Sequence, residues 1–276
     1  MIIFGFVYMG SFYSQNHDFF KKDISLAGGT SVTINGGTLN SANLEKAISD
    51  KLEDVNIREI SDLATKKQLA VIVETRSDEQ QTRTVLESYL GYSLNEDNSS
   101  FEFTGSSLSN SFYKQLLFAL LVAFVLMAVV IFIQFKTLVP SMAVILSAFA
   151  DIFMSLVLVN LLGIRISSAG IVAFLMLIGY SVDTDILLTN KVLRREGKSV
   201  NRKIIESFKT GITMTLTAVA SVVAALLIAG PYSSTLYQIF LIMALGLVFD
   251  IFNTWLTNVS IIKWYALHLQ KKKNEN

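Results

Sequence analysis

Two acids stand two residues apart in an otherwise apolar stretch, Asp183 and Asp185 in LIGYSVDTDILLTNKVLRR, residues 177–195. A carboxylate at the centre of a membrane helix costs at least ~2.5–3.5 kcal/mol on insertion scales, so its presence asks for a use. The chemistry open to it there is the uptake and release of a proton. Two further acids, Asp151 and Asp250, also sit inside apolar runs. At ~100° per residue, Asp183 and Asp185 point to nearly opposite faces of one helix, so one faces its own bundle and the other a partner or the interface. With a rise of ~1.5 Å per residue, both acids lie roughly 9–12 Å from Lys191, and Asp250 at a similar depth. Asp151 lies roughly 20 Å from the near end of its own span, past the midplane. The candidate proton relay is Asp183, Asp185 and Asp151, with Lys209 as counter-charge. The alternative reads the acids as structural, bonded to Ser, Thr or Asn of adjacent helices, and Lys209 as a lysine snorkelling to the interface. Thr210, Thr213, Thr215 and Thr217 follow Lys209 and offer hydroxyls to a relay or to a packed helix seam.

Nothing else in the chain points to catalysis. There are no cysteines, which excludes disulfides, thiolate catalysis and cysteine metal sites. The two histidines, His17 and His268, are far apart in the chain. No P-loop, dinucleotide fingerprint or nucleophile elbow occurs. The expectation is a protein that is no enzyme, holds no metal or cofactor, binds no nucleic acid and is not driven by a nucleotide of its own.

The elements that position the acids are membrane helices. A hydrophobic share of 52% and a mean hydropathy of +0.50 belong to a membrane protein. Five apolar runs, about 114–134, 138–161, 166–189, 210–230 and 236–262, exceed the ~18 residues of a candidate span. Residues 1–15 are apolar but short, and lack the basic start and cleavage site of a signal peptide. They are expected to be part of a first transmembrane helix whose beginning lies outside this sequence. Lys136, the basic loop (Lys191, Arg194, Arg195, Lys198, Arg202, Lys203, Lys209) and Lys271–Lys273 fall on one side. Residues 16–111, Gly163–Ser168 and Gly230–Thr235 fall on the other. The positive-inside rule makes the basic side cytoplasmic and puts both termini there. Trp264 and Tyr265 are expected to anchor the last span at that face, with Trp255 deeper in it. Gly170 and Gly179 permit close approach of a neighbouring helix.

Residues 16–111 hold 9 Lys/Arg against 15 Asp/Glu, whereas the remainder holds 14 against 7. This acidic segment reads as one small domain. Strands are expected at Thr30–Ile34, Val55–Ile60, Gln68–Thr75 and Ser100–Phe103, with a turn at Asn35-Gly36-Gly37. Helices are expected from Ser41 to about Leu52 and from Ser77 or Asp78 to Tyr89. That order, β-α-β-β-α-β, is the ferredoxin-like split unit. The fold class is therefore a polytopic α-helical membrane protein with six transmembrane helices, the first truncated, and an extracytoplasmic ferredoxin-like α+β domain between helices 1 and 2. Its parts are 1–15, the domain at 16–111, a five-helix bundle at 112–265 with a cytoplasmic loop at 190–209, and a tail at 266–276.

The order of parts resembles the SecF family, the smaller membrane subunits of the SecD–SecF export complex and relatives of the RND transporters. Gly28-Gly29-Thr30 looks like the family's motif after the first helix. Gly179-Tyr180-Ser181 followed by Asp183 and a basic exit looks like its fourth-helix signature, and Lys209-Thr210 is similar to its Arg-Thr pair. Ser25 stands where the family usually has Asp, and Asp183-Thr184-Asp185 replaces Asn-Asp-Thr, which looks like an archaeal member. The resemblance implies pairing with a SecD-like subunit beside the Sec translocon channel, contact with membrane lipid and with a translocating preprotein, and use of the proton motive force. Two rival readings are a passive membrane scaffold and an intramembrane aspartyl protease. For the latter, GYSVD lacks the second glycine of Gly-x-Gly-Asp.

Overall fold

The computed structural model describes residues 2–36, 39–62, 65, 67–194, 199–230 and 233–275, the last three as backbone only. Gly37 of the expected turn, Arg195 and Lys198 of the basic loop, Pro231 and Tyr232, and the Lys273 side chain lie outside the described residues.

The chain begins with α1 (Ile2–Asn16), followed by a short α2 (Ile24–Ala27). The α+β unit then runs β1 (Gly29–Asn35), α3 (Ser41–Ile48), β2 (Asn56–Ser61), β3 (Gln68–Thr75), α4 (Glu79–Leu90) and β4 (Ser99–Thr104). The strands form one sheet in the order β2-β3-β1-β4, every pair antiparallel. Val32 stands opposite Val73 on one side and Phe101 on the other. Alternation sends Val32, Ile34, Val71 and Val73 to one face, where Leu44, Ile48 and Leu86 close a buried core. The helix starts follow from polar caps. Asn40, one residue before the expected Ser41, accepts the Asn43 N–H at 3.0 Å, and Asp78 accepts that of Gln81 at 2.8 Å.

The Gly28-Gly29-Thr30 motif is the joint between this unit and the bundle. Gly28 has φ +86°, and a Cβ there would stand 2.5 Å from the Ser106 backbone. Gly29 has φ +141°, and its Cβ would stand 2.2 Å from the Thr75 carbonyl oxygen. Thr30 donates its hydroxyl to the Ser77 carbonyl at 2.8 Å. Only glycine fits either of the first two places.

Five helices are long and apolar enough to cross a membrane. They are α5 (Ser106–Phe135), α6 (Leu138–Leu161), α7 (Ser168–Leu193), α8 (Val200–Ala229), and α9 (Ser234–Phe252) continued through a π-helical turn, Asn253–Asn258, into α10 (Val259–Glu275). The most apolar windows of α6 and α7 are 56% buried, those of α5 and α8 only 6%, so α6 and α7 form the middle of the bundle. α1, at 15 residues, lies on α6, with Phe6 stacked 4.5 Å from Phe153. Helix α8 starts ten residues before the expected 210. Ser199 caps it, and Val200 and Lys203 are buried, so part of the basic loop is helix. Hydropathy alone misses that stretch because its outer face is charged.

The α+β unit and the bundle are tied by polar contacts. Lys22 and Ile166 form a parallel bridge, with Ile166 N–H donating to Lys21 at 2.7 Å. Ser25 Oγ accepts the Ser168 N–H at 3.1 Å, and Arg165 in the α6–α7 connection reaches Asp54 at 2.7 Å. Burial pushes the Asp23 carboxyl above its usual range, against the pull of the Arg58 guanidinium 3.7 Å away.

Candidate functional site: a carboxylate layer inside the bundle

One apolar cluster, including Phe174, Leu177, Ile242 and Met243, fills the bundle on the side of the α+β unit. Another, including Leu188, Val192, Val200 and Ile262, fills the opposite end. Between them lies a polar layer built on three buried acids, Asp151 on α6, Asp185 on α7 and Asp250 on α9. Asp151 accepts from the Ser181 hydroxyl and from Asn253 Nδ2, the latter at 2.6 Å. Asp185 Oδ1 accepts from Thr254 Oγ1 at 2.8 Å and Asn258 Nδ2 at 2.6 Å. Asp250 lies 3.1 Å from the same Thr254 oxygen, whose single proton serves one of the two acids at a time, and it accepts from Thr215 on α8 at 3.5 Å; Thr215 meets Thr184 at 3.5 Å.

The π-helical turn makes this layer possible. In an α-helix, residues five apart stand ~140° apart, at ~100° per residue. Winding by i→i+5 bonds brings them to the same side of the helix. Asn253 and Asn258 are five apart and both are buried, one serving Asp151 and the other Asp185. A π-helical turn inside a span is itself a frequent mark of function.

The expected site residues are divided by the structure. Asp185 faces inward and Asp183 outward, the opposed faces that their spacing implies. Asp151, expected about 20 Å along its own helix, stands beside the other two acids. It bonds Ser181 of α7 and Asn253, which places it in the same layer as the other two acids. Counting residues along one helix ignores how neighbouring helices are offset. Lys209 is exposed and forms no ion pair with Asp183 among the described residues. The threonine run splits: Thr210, Thr213 and Thr217 donate to carbonyls four residues back, and only Thr215 turns inward.

Ser181 of the glycine–tyrosine–serine motif is in the layer, whereas Gly179 and Tyr180 lie with Asp183 on the exposed face. Gly179 has open space around it, so it admits no neighbour from this chain. Gly170 does, with a Cβ there meeting Gln238 at 2.9 Å. Trp255 sits inside the bundle, edge-on to Phe208 at 5.0 Å and over Gly211, while Trp264 is exposed.

Asn253, Thr254 and Asn258 escape a reading by charge because they are neutral. Their signal is a polar stripe at positions 250, 253, 254 and 258 within an apolar run.

Three carboxylates share this buried layer, and among the described residues no Lys or Arg pairs with any of them. A charged carboxylate buried without a basic partner is costly. The exposed face of α7 is different. There Tyr180 borders a shallow groove with Thr213, Thr217 and Ser221 of α8.

Residues 83–268 match the family described as "Protein export membrane protein SecD/SecF, C-terminal". The chain is 37% identical over 258 residues to the protein-export membrane protein SecF of Methanocaldococcus jannaschii, covering 91% of this chain and 89% of that one. It is 30% identical over 276 residues to SecF of Pyrococcus furiosus, covering 99% and 91%. Its fold is similar to the crystal structure of SecDF, a translocon-associated membrane protein from Thermus thermophilus, with a TM-score of 0.74 at 18% identity. That likeness covers 96% of this chain but only 36% of the SecDF chain.

Proposed function

Because the chain belongs to the SecF family of protein-export membrane proteins, we propose that it works as one half of a Sec-associated export machine in the cytoplasmic membrane. Its partners are a SecD-like subunit, the Sec channel, the crossing preprotein and lipid. The polar layer takes up protons driven by the gradient and converts that uptake into movement that helps the preprotein across. The observation that carries the coupling is the set of three buried carboxylates, Asp151, Asp185 and Asp250, with no basic partner among the described residues. Asp183, Gly179 and Tyr180, exposed on one face of α7, are the surface offered to the SecD-like subunit. α1, which leads directly into the α+β unit, is a sixth helix of the membrane part, and the α+β unit, whose strand order fits the ferredoxin-like fold, stands outside the cell.

Two measurements test this. Affinity purification of the full chain from native membrane is expected to bring down a SecD-like chain in stoichiometric amount, and its absence would sink the pairing. For orientation, Ser93 is exposed on the outer unit of a chain that has no cysteine. Ser93→Cys is expected to react with an impermeant thiol reagent on intact cells. Reaction only after lysis would overturn the topology.

A further inference from the structure

Two stretches of the chain carry the Asn-x-Ser pattern at which a sugar is joined to an asparagine amide, Asn98-Ser99-Ser100 and Asn258-Val259-Ser260. The structure separates them. Asn258 is fully buried in the bundle, and its Nδ2 is spent on Asp185 at 2.6 Å. No enzyme reaches it there. Asn98, half-buried, closes a surface turn of the α+β unit in which Asn95, Glu96 and Asp97 are exposed.

That turn holds the asparagine in one pose. Asn98 Oδ1 accepts the Asn95 N–H at 2.9 Å, and Asn95 Oδ1 accepts the Asn98 N–H at 3.2 Å. The Asn98 carbonyl accepts the Asn35 N–H at 2.8 Å, which ties the turn to the end of β1. Of the two protons on Asn98 Nδ2, one goes to the Ser93 carbonyl at 3.0 Å and the other is unspent among the described residues. The two serines that follow are used differently. Ser99 is buried and donates its hydroxyl to the Asn95 carbonyl at 2.9 Å. Ser100, whose hydroxyl the pattern requires, is exposed and makes no side-chain hydrogen bond among the described residues.

The place suits a bulky group. β4 runs from Ser99 to Thr104 before α5 begins, so at ~3.4 Å per residue Asn98 stands roughly 20 Å along the strand from that joint. β4 is an edge strand, paired only with β1, and its Phe103 is exposed. A large polar group at the head of such a strand hinders its pairing with a strand of another chain.

We infer that Asn98 is an N-glycosylation site. Its Nδ2 attacks the anomeric carbon of a phosphate-activated sugar donor held by a glycosyltransferase. The N–C bond forms, the bond from that carbon to the phosphate oxygen breaks, and the phosphate leaves with the electron pair. The unspent amide proton passes to a base of the transferase. Modification here rests on the reading that the α+β unit stands outside the cell, the side on which this pattern is used.

For the test, the full chain is purified from its native membrane and digested, and the peptide carrying Asn98 is sequenced by mass spectrometry. The expected result is a mass excess of whole sugar residues placed on Asn98, with the Asn258 peptide unmodified. Ser100→Ala is expected to abolish the excess and Ser100→Thr to keep it, because the pattern needs a hydroxyl at that place. Both alter an exposed side chain, so they remain informative if Asn98→Gln, which disturbs the turn, fails to fold. An Asn98 peptide of unmodified mass in the native chain overturns the site, and so does an excess that survives Ser100→Ala. Ser93→Cys separates this site from the orientation it needs. Labelling from outside with Asn98 unmodified overturns the glycan and leaves the orientation standing, whereas labelling only after lysis overturns both.

Discussion

Asp185→Asn is expected to reduce export to the level seen without a proton gradient, while the chain still assembles with its partner. The substitution suits the site. Oδ1 of Asp185 accepts both hydrogen bonds, from Thr254 and Asn258, and an asparagine carbonyl can keep them. The new amide NH2 takes the place of Oδ2, which has no partner to lose. Shape and bonding survive, and the titratable proton is gone. The assay is preprotein translocation into inverted membrane vesicles, with and without the gradient. Asp183→Asn, on the exposed face, is expected to leave most of the gradient effect and to act on pairing instead. Full gradient stimulation in a chain carrying asparagine at 151, 185 and 250 together would defeat ion coupling and leave the scaffold reading standing.

Gly29→Ala is expected to cost the α+β unit about 3–5 kcal/mol, in the range that a strained backbone combined with an unavoidable clash produces. The added methyl meets the Thr75 carbonyl oxygen at 2.2 Å, a backbone atom inside the sheet, and φ at this residue is +141°. No side chain can swing away to relieve it, because Thr30 pairs directly with Thr75 in the neighbouring strand. Limited proteolysis of the variant in membranes is expected to cut within residues 30–104 while the helical bundle survives. Protease resistance equal to that of the unaltered chain would remove the structural explanation of the motif. Gly36→Ala is the control: its φ is also positive, at +75°, but nothing lies within 4 Å of a Cβ there. It should therefore cost only the backbone strain, ~1–3 kcal/mol.

Much of this protein is written in local sequence. Apolar length located the helices 138–161 to the residue and the other four spans to within about ten, because a run of side chains that cannot meet water reports its own extent. Period-two alternation and β-branched residues located all four strands to within one residue at each end. The Asp183–Asp185 spacing determined that one acid would turn in and the other out, since helical geometry alone sets that angle.

Which one turns in was decided by tertiary packing, because both faces of α7 are apolar enough to be buried. The same holds for the layer itself. Asp151, Asp185 and Asp250 are 34 to 99 residues apart in sequence, and only the offset of α6, α7 and α9 brings them together. The amides that serve them depend on a π-helical turn, which follows from the packing around Asn253–Asn258 rather than from local propensity. Lys209 carried the charge that sequence reasoning looks for, yet a long flexible cation gains more at the exposed surface than in the interior. Sequence determined which residues are costly to bury; the bundle decided which of them share that cost.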